Sequence, residues 1–145
     1  MLPFPKSFTA FAVLQLVDAG KIQLNDPVVK HLPEVKLDDP GWSQVTIRQL
    51  LSHTSGIPNP TIVPPANNLK AGVDRLHDWK LQPNPGEKYA YSNANYWILA
   101  RLVEETSEME FSQYLKQKLF SPLGMNDSLT AVNSGDSVQG RLKAI

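Results

Sequence analysis

Apolar side chains recur at helical spacing in several segments of the chain, and stretches containing proline and glycine separate these segments. The clearest periodic run follows Asn93, where the apolar positions that recur every three or four residues are Tyr96, Leu99, Leu102 and Val103. This spacing predicts a helix that extends to about Ser107 and turns these four side chains inward. Ser92 or Asn93 has the side chain of an N-terminal cap for it.

The beginning of the chain also predicts a helix, from about Pro5 to Ala19. Pro5 suits the first turn, where its missing N–H has no partner to lose, and Gly20 suits the C-terminal cap. The apolar residues expected to form its broad inward face are Phe8, Phe11, Ala12, Leu14, Leu16 and Val17.

The segment VTIRQLLSHTSGIP carries the strongest local signal for the start of a helix. Thr46 and Gln49 have the spacing of a capping box, while Val45 and Leu50 have that of a hydrophobic staple. These pairs predict a helix from about Ile47 to His53, with the chain leaving it by Gly56.

Weaker patterns complete the prediction of a mainly α domain over residues 1–128, with at most a short strand or two. A one-turn helix is expected to begin at Asp26-Pro27, and further helices are expected over residues 69–79 and 110–120. The apolar positions behind these two helices are Leu69, Val73, Leu76 and Trp79 in the first, and Phe111, Tyr114, Leu115 and Leu119 in the second. Residues 59–68 and 81–91 have the composition of loops, and residues 129–145 form a poorly defined tail.

Composition narrows the classes of function. The 145 residues hold 14 acidic and 14 basic side chains, so no basic field exists to attract nucleic acid. Cysteine is absent, and His31, His53 and His77 lack metal-ligand spacing. No stretch approaches the roughly 20 apolar residues of a membrane helix. The N-terminus has no signal-peptide pattern, so a complete chain of this sequence is expected in the cytoplasm.

Four segments then follow one another in a family order: KSFTAFAVLQLVDAGKIQLNDPVVKHLPE, VTIRQLLSHTSGIPN, PGEKYAYSNANYWILARLVEE and FSQYLKQKLFSPLGMNDS. Together they resemble the serine β-lactamase and penicillin-binding-protein superfamily, in the branch of class C β-lactamases, D-alanyl-D-alanine peptidases and carboxylesterases. The resemblance covers most of residues 6–128. It implies the helical subdomain of the β-lactamase/transpeptidase-like fold, lacking most or all of the α/β sheet domain.

The resemblance also implies acyl transfer without a cofactor, through an SxxK motif and a YxN motif. Residues three apart share a helix face, so a lysine there can accept the proton of the serine nucleophile. Lys6 matches that lysine, and Tyr91 matches the tyrosine that shares the proton transfer. Asn93 matches the asparagine that binds the substrate amide.

The expected nucleophile is missing, because Pro3 stands where the serine should be. Proline has neither a hydroxyl nor the backbone N–H that the family uses in its oxyanion hole. No KTG-like motif follows Met125. Ser7 is the alternative nucleophile, although it is adjacent to Lys6, so their side chains diverge by about 100° around the helix.

Two hypotheses therefore stay open. The chain is a fragment or pseudoenzyme of a serine hydrolase family, or it is an active hydrolase that uses a non-standard nucleophile such as Ser7. The family's acyl substrates are β-lactams, peptides and esters. In the first hypothesis the apolar face that rests on an α/β domain in the full fold is covered by self-association.

The remaining polar and aromatic candidates are expected to be structural. His53 is expected to tie down a helix end, and His31 and His77 are expected at the surface. The three tryptophans, Trp42, Trp79 and Trp97, are expected in the core or at an interface.

Overall fold

The computed structural model describes residues 6–60 and 69–125, and their regular structure is helical. The α-helices are α1 (Lys6–Asp18), α2 (Val28–His31), α3 (Ile47–Leu51), α4 (Leu69–Asp74), α5 (Asn93–Ser107) and α6 (Phe111–Leu115). A 3₁₀ turn covers Pro40–Gln44, and a π-helical turn, Lys116–Phe120, continues α6. Extended pairing in the described ranges is limited to one isolated bridge between Pro27 and Thr46. The prediction of a mainly α domain is confirmed.

Helix α5 lies at the centre of the packing, and its predicted bounds and inward residues are confirmed. Ser92 is its N-cap, since the Ser92 hydroxyl accepts a hydrogen bond from the backbone N–H of Ala94 at 3.2 Å. The helix ends at Ser107, and the next residue, Glu108, has a left-handed backbone. Helices α1, α3, α4 and α6 all pack against α5, which explains why it is buried on several sides.

Helix α1 begins and ends close to the predicted positions, but part of its predicted inward face is wrong. Phe11 and Leu14 are 45% and 48% exposed. Ala12 and Leu16 are buried as predicted, and Thr9 and Val13, which were not predicted to face inward, are buried as well. Apolar side chains lie on nearly every side of this helix, so the sequence pattern alone does not select the side that meets α5.

The capping box of α3 is confirmed in both directions. Thr46 Oγ1 accepts from the Gln49 N–H at 3.2 Å, and Gln49 Oε1 accepts from the Thr46 N–H at 3.0 Å. Val45 and Leu50 are fully buried, as a staple requires. The helix ends at Leu51 rather than at His53, because His53 adopts a positive φ of 56° that is incompatible with a right-handed helix.

Two other helices are shorter than their patterns predict. Helix α4 buries Val73 and ends at Asp74, and the chain continues in turns that bury Leu76. Helix α6 changes to the π-helical turn after Leu115, with the predicted apolar residues buried. The side chain of Gln15 in α1 donates to the Lys118 carbonyl at 3.1 Å and so connects that turn to α1.

The two predicted loops and the tail have different outcomes. Residues 81–91 form an irregular segment, as predicted. Most of the other predicted loop, residues 61–68, and the whole predicted tail lie outside the described residues. Within the described ranges, no helix has both the length and the apolar character needed to cross a bilayer.

Candidate functional site

The three residues matched to the family motifs lie at the N-terminal ends of two packed helices. Lys6 is the first residue of α1, Asn93 is the first residue of α5, and Tyr91 is in the extended segment that enters α5. Because α1 packs against α5, these positions meet although they are far apart in the sequence.

The contacts among the three residues are specific. Lys6 Nζ lies 5.1 Å from the centre of the Tyr91 ring and 5.8 Å from that of Tyr96, which is the range of a cation–π interaction. The Tyr91 hydroxyl donates a hydrogen bond to Asn93 Oδ1 at 2.9 Å. Tyr91 is 44% exposed, so an external molecule can reach this group. The structure therefore brings Lys6, Tyr91 and Asn93 into one cluster.

His53 lies beneath this cluster and is buried. Its Nδ1 is 3.2 Å from the backbone N–H donor of Ser92 and 3.0 Å from Asn95 Nδ2. Two donors on one ring nitrogen require that nitrogen to be an acceptor, which describes a neutral imidazole with its proton on Nε2. Burial, followed by the positive charge of Lys6, lowers the pKa of His53 below 6.5.

Aromatic rings surround the imidazole. The ring centroids of Tyr91, Tyr96 and Tyr89 lie 4.7, 5.2 and 5.9 Å from that of His53. The Tyr96 hydroxyl also donates a hydrogen bond to the Leu51 carbonyl at 3.1 Å. Burial, together with the neighbouring Tyr89 and Tyr91, raises the pKa of Tyr96, so it remains protonated and keeps this bond.

The loop that carries Tyr91 is fastened to the segment after α3 by backbone hydrogen bonds. The N–H groups of Ala90, Gly86 and Gln82 donate to the carbonyls of His53, Thr54 and Gly56 at 2.8, 2.7 and 2.7 Å. A side chain at Gly56 would overlap the Pro83 carbonyl oxygen, and its φ is +81°, so glycine is required there. This pairing sets the path of the chain toward Tyr91.

A buried polar pair orients the amide that reaches His53. Ser55 Oγ donates to Asn95 Oδ1 at 2.6 Å and accepts from the Ile57 N–H at 3.1 Å. Asn95 therefore presents Nδ2 to His53. Neither Ser55 nor Asn95 was predicted from the sequence. The signal that could have found Asn95 is a polar residue next to the inward-facing Tyr96, in the buried first half of α5.

The other sequence candidates have mixed outcomes. The structural role predicted for His53 agrees with its contacts. The prediction that His31 is a surface residue is wrong: its side chain is mostly buried, and Nε2 lies 2.8 Å from Asp26 Oδ2. His77 is exposed, as expected. Trp42 and Trp97 are buried, and Trp79 packs against the core.

Pro3 lies outside the described residues. Ser7 is exposed, and its side chain leaves α1 about 100° around the axis from that of Lys6. In the ranges that the structure covers, no three histidine, aspartate or glutamate side chains converge as metal ligands would.

Comparison with known proteins identifies relatives of this chain. The family model described as Beta-lactamase matches residues 5–144. Protein flp of Staphylococcus aureus (strain MRSA252) is 32% identical over 138 residues, which cover 91% of this chain and 28% of that protein. The chain thus spans only about a quarter of the length of the curated relatives it matches.

Solved structures agree with the sequence match. D-amino acid amidase from Ochrobactrum anthropi SV3, in complex with D-phenylalanine, superposes with a TM-score of 0.74 at 27% identity, covering 92% of this chain and 45% of the amidase. An octameric penicillin-binding protein homologue from Pyrococcus abyssi gives 0.65 at 32% identity, covering 83% and 30%. The described helices therefore correspond to the helical subdomain of the β-lactamase/transpeptidase-like fold.

Proposed function

The chain belongs to the beta-lactamase family, and we propose that it carries the proton-transfer and substrate-binding side of an acyl-transfer site without the nucleophile. In this proposal Lys6 and Tyr91 are the proton-transfer pair, and Asn93 binds the amide of an acyl ligand. The observation that carries the proposal is the contact cluster of these three residues, combined with a proline three positions before Lys6.

The hydrogen bond inside the cluster determines what Asn93 can offer to a ligand. Its Oδ1 already accepts a hydrogen bond from the Tyr91 hydroxyl. The Nδ2 donors are therefore the atoms that would meet a ligand carbonyl. Lys6 adds a positive charge beside the same tyrosine ring and favours a polar or anionic group nearby.

Pro3 is the reason for proposing impaired catalysis. A serine at that position would supply both the attacking hydroxyl and one backbone donor to the oxyanion hole. Loss of one such donor alone typically lowers the rate by about 10²–10³. Loss of the attacking atom removes the covalent step itself.

The ligand we propose is a D-configured aminoacyl amide or peptide. Support comes from the structural similarity to an amidase described in complex with D-phenylalanine and to a penicillin-binding protein homologue. D-Phenylalaninamide is thus a suitable first probe, and β-lactams and esters are the competing classes.

One experiment on the full chain tests the proposal. The protein is incubated with a fluorescent penicillin, nitrocefin and p-nitrophenyl acetate, and intact-mass spectrometry searches for covalent adducts. We expect neither turnover nor an adduct, with D-phenylalaninamide still bound and its binding weakened by Tyr91→Phe. An adduct on the unmodified chain would overturn the proposal, and an adduct mapped to Ser7 would support the active-hydrolase alternative.

We also propose that a second copy of this chain covers the exposed apolar side of α1. Phe11 and Leu14 lie one turn apart on this side and expose close to half of their surface. The described octameric state of the Pyrococcus abyssi homologue supports assembly as a property found among structural neighbours.

A further inference from the structure

His53 accepts hydrogen bonds from the backbone of the residues on both sides of Tyr91. Its carbonyl oxygen accepts a hydrogen bond from the Ala90 N–H at 2.8 Å, and its Nδ1 accepts one from the Ser92 N–H at 3.2 Å. We propose that His53 is the positioning residue for Tyr91 and that it performs this role only as the neutral imidazole. The inference rests on the function proposed above, because it assigns Tyr91 a role at the site.

The side chain of Tyr91 is held as well as its backbone. The rings of His53 and Tyr91 lie 4.7 Å apart at an interplanar angle of 35°. The backbone bonds restrict the position of the Tyr91 Cα, and the ring contact restricts its side-chain direction. Together they keep the hydroxyl where it can donate a hydrogen bond to Asn93 Oδ1.

Protonation of the His53 imidazole would remove the hydrogen bond that its side chain accepts from the Ser92 N–H. A proton on Nδ1 occupies the lone pair that accepts from Ser92 and Asn95, so both hydrogen bonds are lost together. Turning the Asn95 amide over to compensate would give up the hydrogen bond that its Oδ1 accepts from the Ser55 hydroxyl. Acid would therefore loosen the segment on which Tyr91 lies.

The charged and titratable groups facing the imidazole favour its neutral form. Lys6 faces it from α1, Tyr89 and Tyr91 from the entering loop, and Tyr96 from α5. The charged residue of α3, Arg48, bonds Asn25 Oδ1 instead. Of the groups that face the imidazole, Lys6 is the one that is charged at neutral pH, and its positive charge disfavours a second positive charge on His53.

The left-handed backbone of His53 allows a matched pair of variants. Asparagine and glycine both tolerate its φ of 56°. His53→Asn keeps an acceptor near the place of Nδ1 but does not titrate, whereas His53→Gly has no acceptor. The two variants separate loss of the hydrogen bond from backbone strain.

The test follows the Ser92 amide and the Tyr91 ring signals by NMR from about pH 8 to about pH 4.5, across the ordinary imidazole range. In the unmodified chain we expect both signals to move with the His53 imidazole, at a midpoint below 6.5. In His53→Asn both signals should be independent of pH, because asparagine does not titrate, and in His53→Gly the Ser92 amide signal should be displaced from its position in His53→Asn at every pH. The inference would be overturned if the Ser92 and Tyr91 signals did not change as the imidazole titrates. It would also be overturned if the asparagine variant behaved like the glycine variant.

Binding of D-phenylalaninamide to the same three proteins separates this inference from the proposed function. We expect His53→Gly to weaken binding about tenfold, the equivalent of one hydrogen bond, and His53→Asn to bind more tightly than His53→Gly. Binding that His53→Gly leaves unchanged contradicts the positioning role alone. Absence of binding in every protein, with the coupled NMR titration intact, contradicts the proposed function alone.

Discussion

The ammonium group of Lys6 lies 5.1 Å from the centre of the Tyr91 ring, so the lysine meets the aromatic face of that tyrosine. The hydroxyl at the other end of Tyr91 is directed to Asn93. The tyrosine thus connects a cation on α1 with an amide on α5. The His53 ring lies against the Tyr91 ring, so the positive charge of Lys6 also acts on the imidazole.

Replacing Lys6 should raise the pKa of His53. The positive charge of Lys6 is the second cause of the lowered pKa, after burial, so Lys6→Met is expected to move the pKa upward toward 6.5 without reaching it. NMR titration of the imidazole measures the change. Lys21→Met, which removes an exposed lysine just beyond α1, is the control and should leave the titration unaltered.

The same variant has a predictable effect on stability in acid. A histidine whose pKa is lowered by folding contributes stability above its unfolded pKa of about 6.5, and that stability is lost as the pH falls toward the folded pKa. Lys6→Met brings the folded pKa of His53 closer to its unfolded pKa. The free energy of unfolding, measured in urea, should therefore fall less between about pH 7 and 5 than in the unmodified chain. An equal loss in both proteins would show that Lys6 does not act on His53.

Much of the fold follows from the sequence where local signals agree. Helix α5 has a cap at Ser92, an apolar period that matches its buried side, and no competing turn residues, so its bounds could be predicted. Helix α1 has apolar residues on nearly every side, and only its partners decide that Thr9 is buried and Leu14 exposed. The π-helical turn likewise depends on packing at the end of α6.

The site was predictable to a different extent. Lys6, Tyr91 and Asn93 could be selected only through the family resemblance, since no local rule places a lysine beside a tyrosine so distant in sequence. The hydrogen bonds that His53 accepts from residues 90 and 92 could not be predicted, because they require a left-handed backbone at a histidine. Propensities favour neither feature.

The hydroxyl of Ser92 should contribute measurably to folding. It caps α5 by accepting from the Ala94 N–H and also donates to the Pro58 carbonyl. Ser92→Ala is expected to lower the free energy of unfolding by about 0.5–2 kcal/mol, as measured by urea denaturation. Ser92→Thr keeps a hydroxyl that can both accept and donate and should recover part of the loss; if it does not, these hydrogen bonds are not the source of the effect.

Asp26 should produce a separate loss of stability in strong acid. Hydrogen bonds from Lys30 and then His31 hold the pKa of its carboxyl well below the ordinary 3.8. A lowered carboxyl pKa contributes stability above about pH 4, which is lost as the pH falls below it. Asp26→Asn should flatten the stability curve in this range, while the exposed Asp18→Asn should not; matching curves would contradict the assignment.

The exposed side of α1 should govern assembly. Replacing both exposed residues, as Phe11→Ser with Leu14→Ser, removes the apolar area that we propose a second copy covers. Sedimentation velocity is expected to show an oligomer for the unmodified chain and a monomer for the double variant. Leu123→Ser, at another exposed apolar residue, is the control. A monomeric unmodified chain would contradict the proposal.

Gly56 should be far less tolerant of a side chain than Gly20, although both have a positive φ. Alanine at Gly20 meets nothing within 4 Å, so only the left-handed strain remains, about 1–2 kcal/mol. Alanine at Gly56 also overlaps the Pro83 carbonyl, and the total loss should reach about 2–5 kcal/mol. Urea unfolding measures both losses.

Because Gly56 lies in the segment that fastens the Tyr91 loop, Gly56→Ala should also shift the Ser92 amide signal, whereas Gly20→Ala should not. Equal losses from the two variants would show that the loop yields to the new side chain, and the pairing of residues 53–56 with residues 82–90 would then not fix the position of Tyr91.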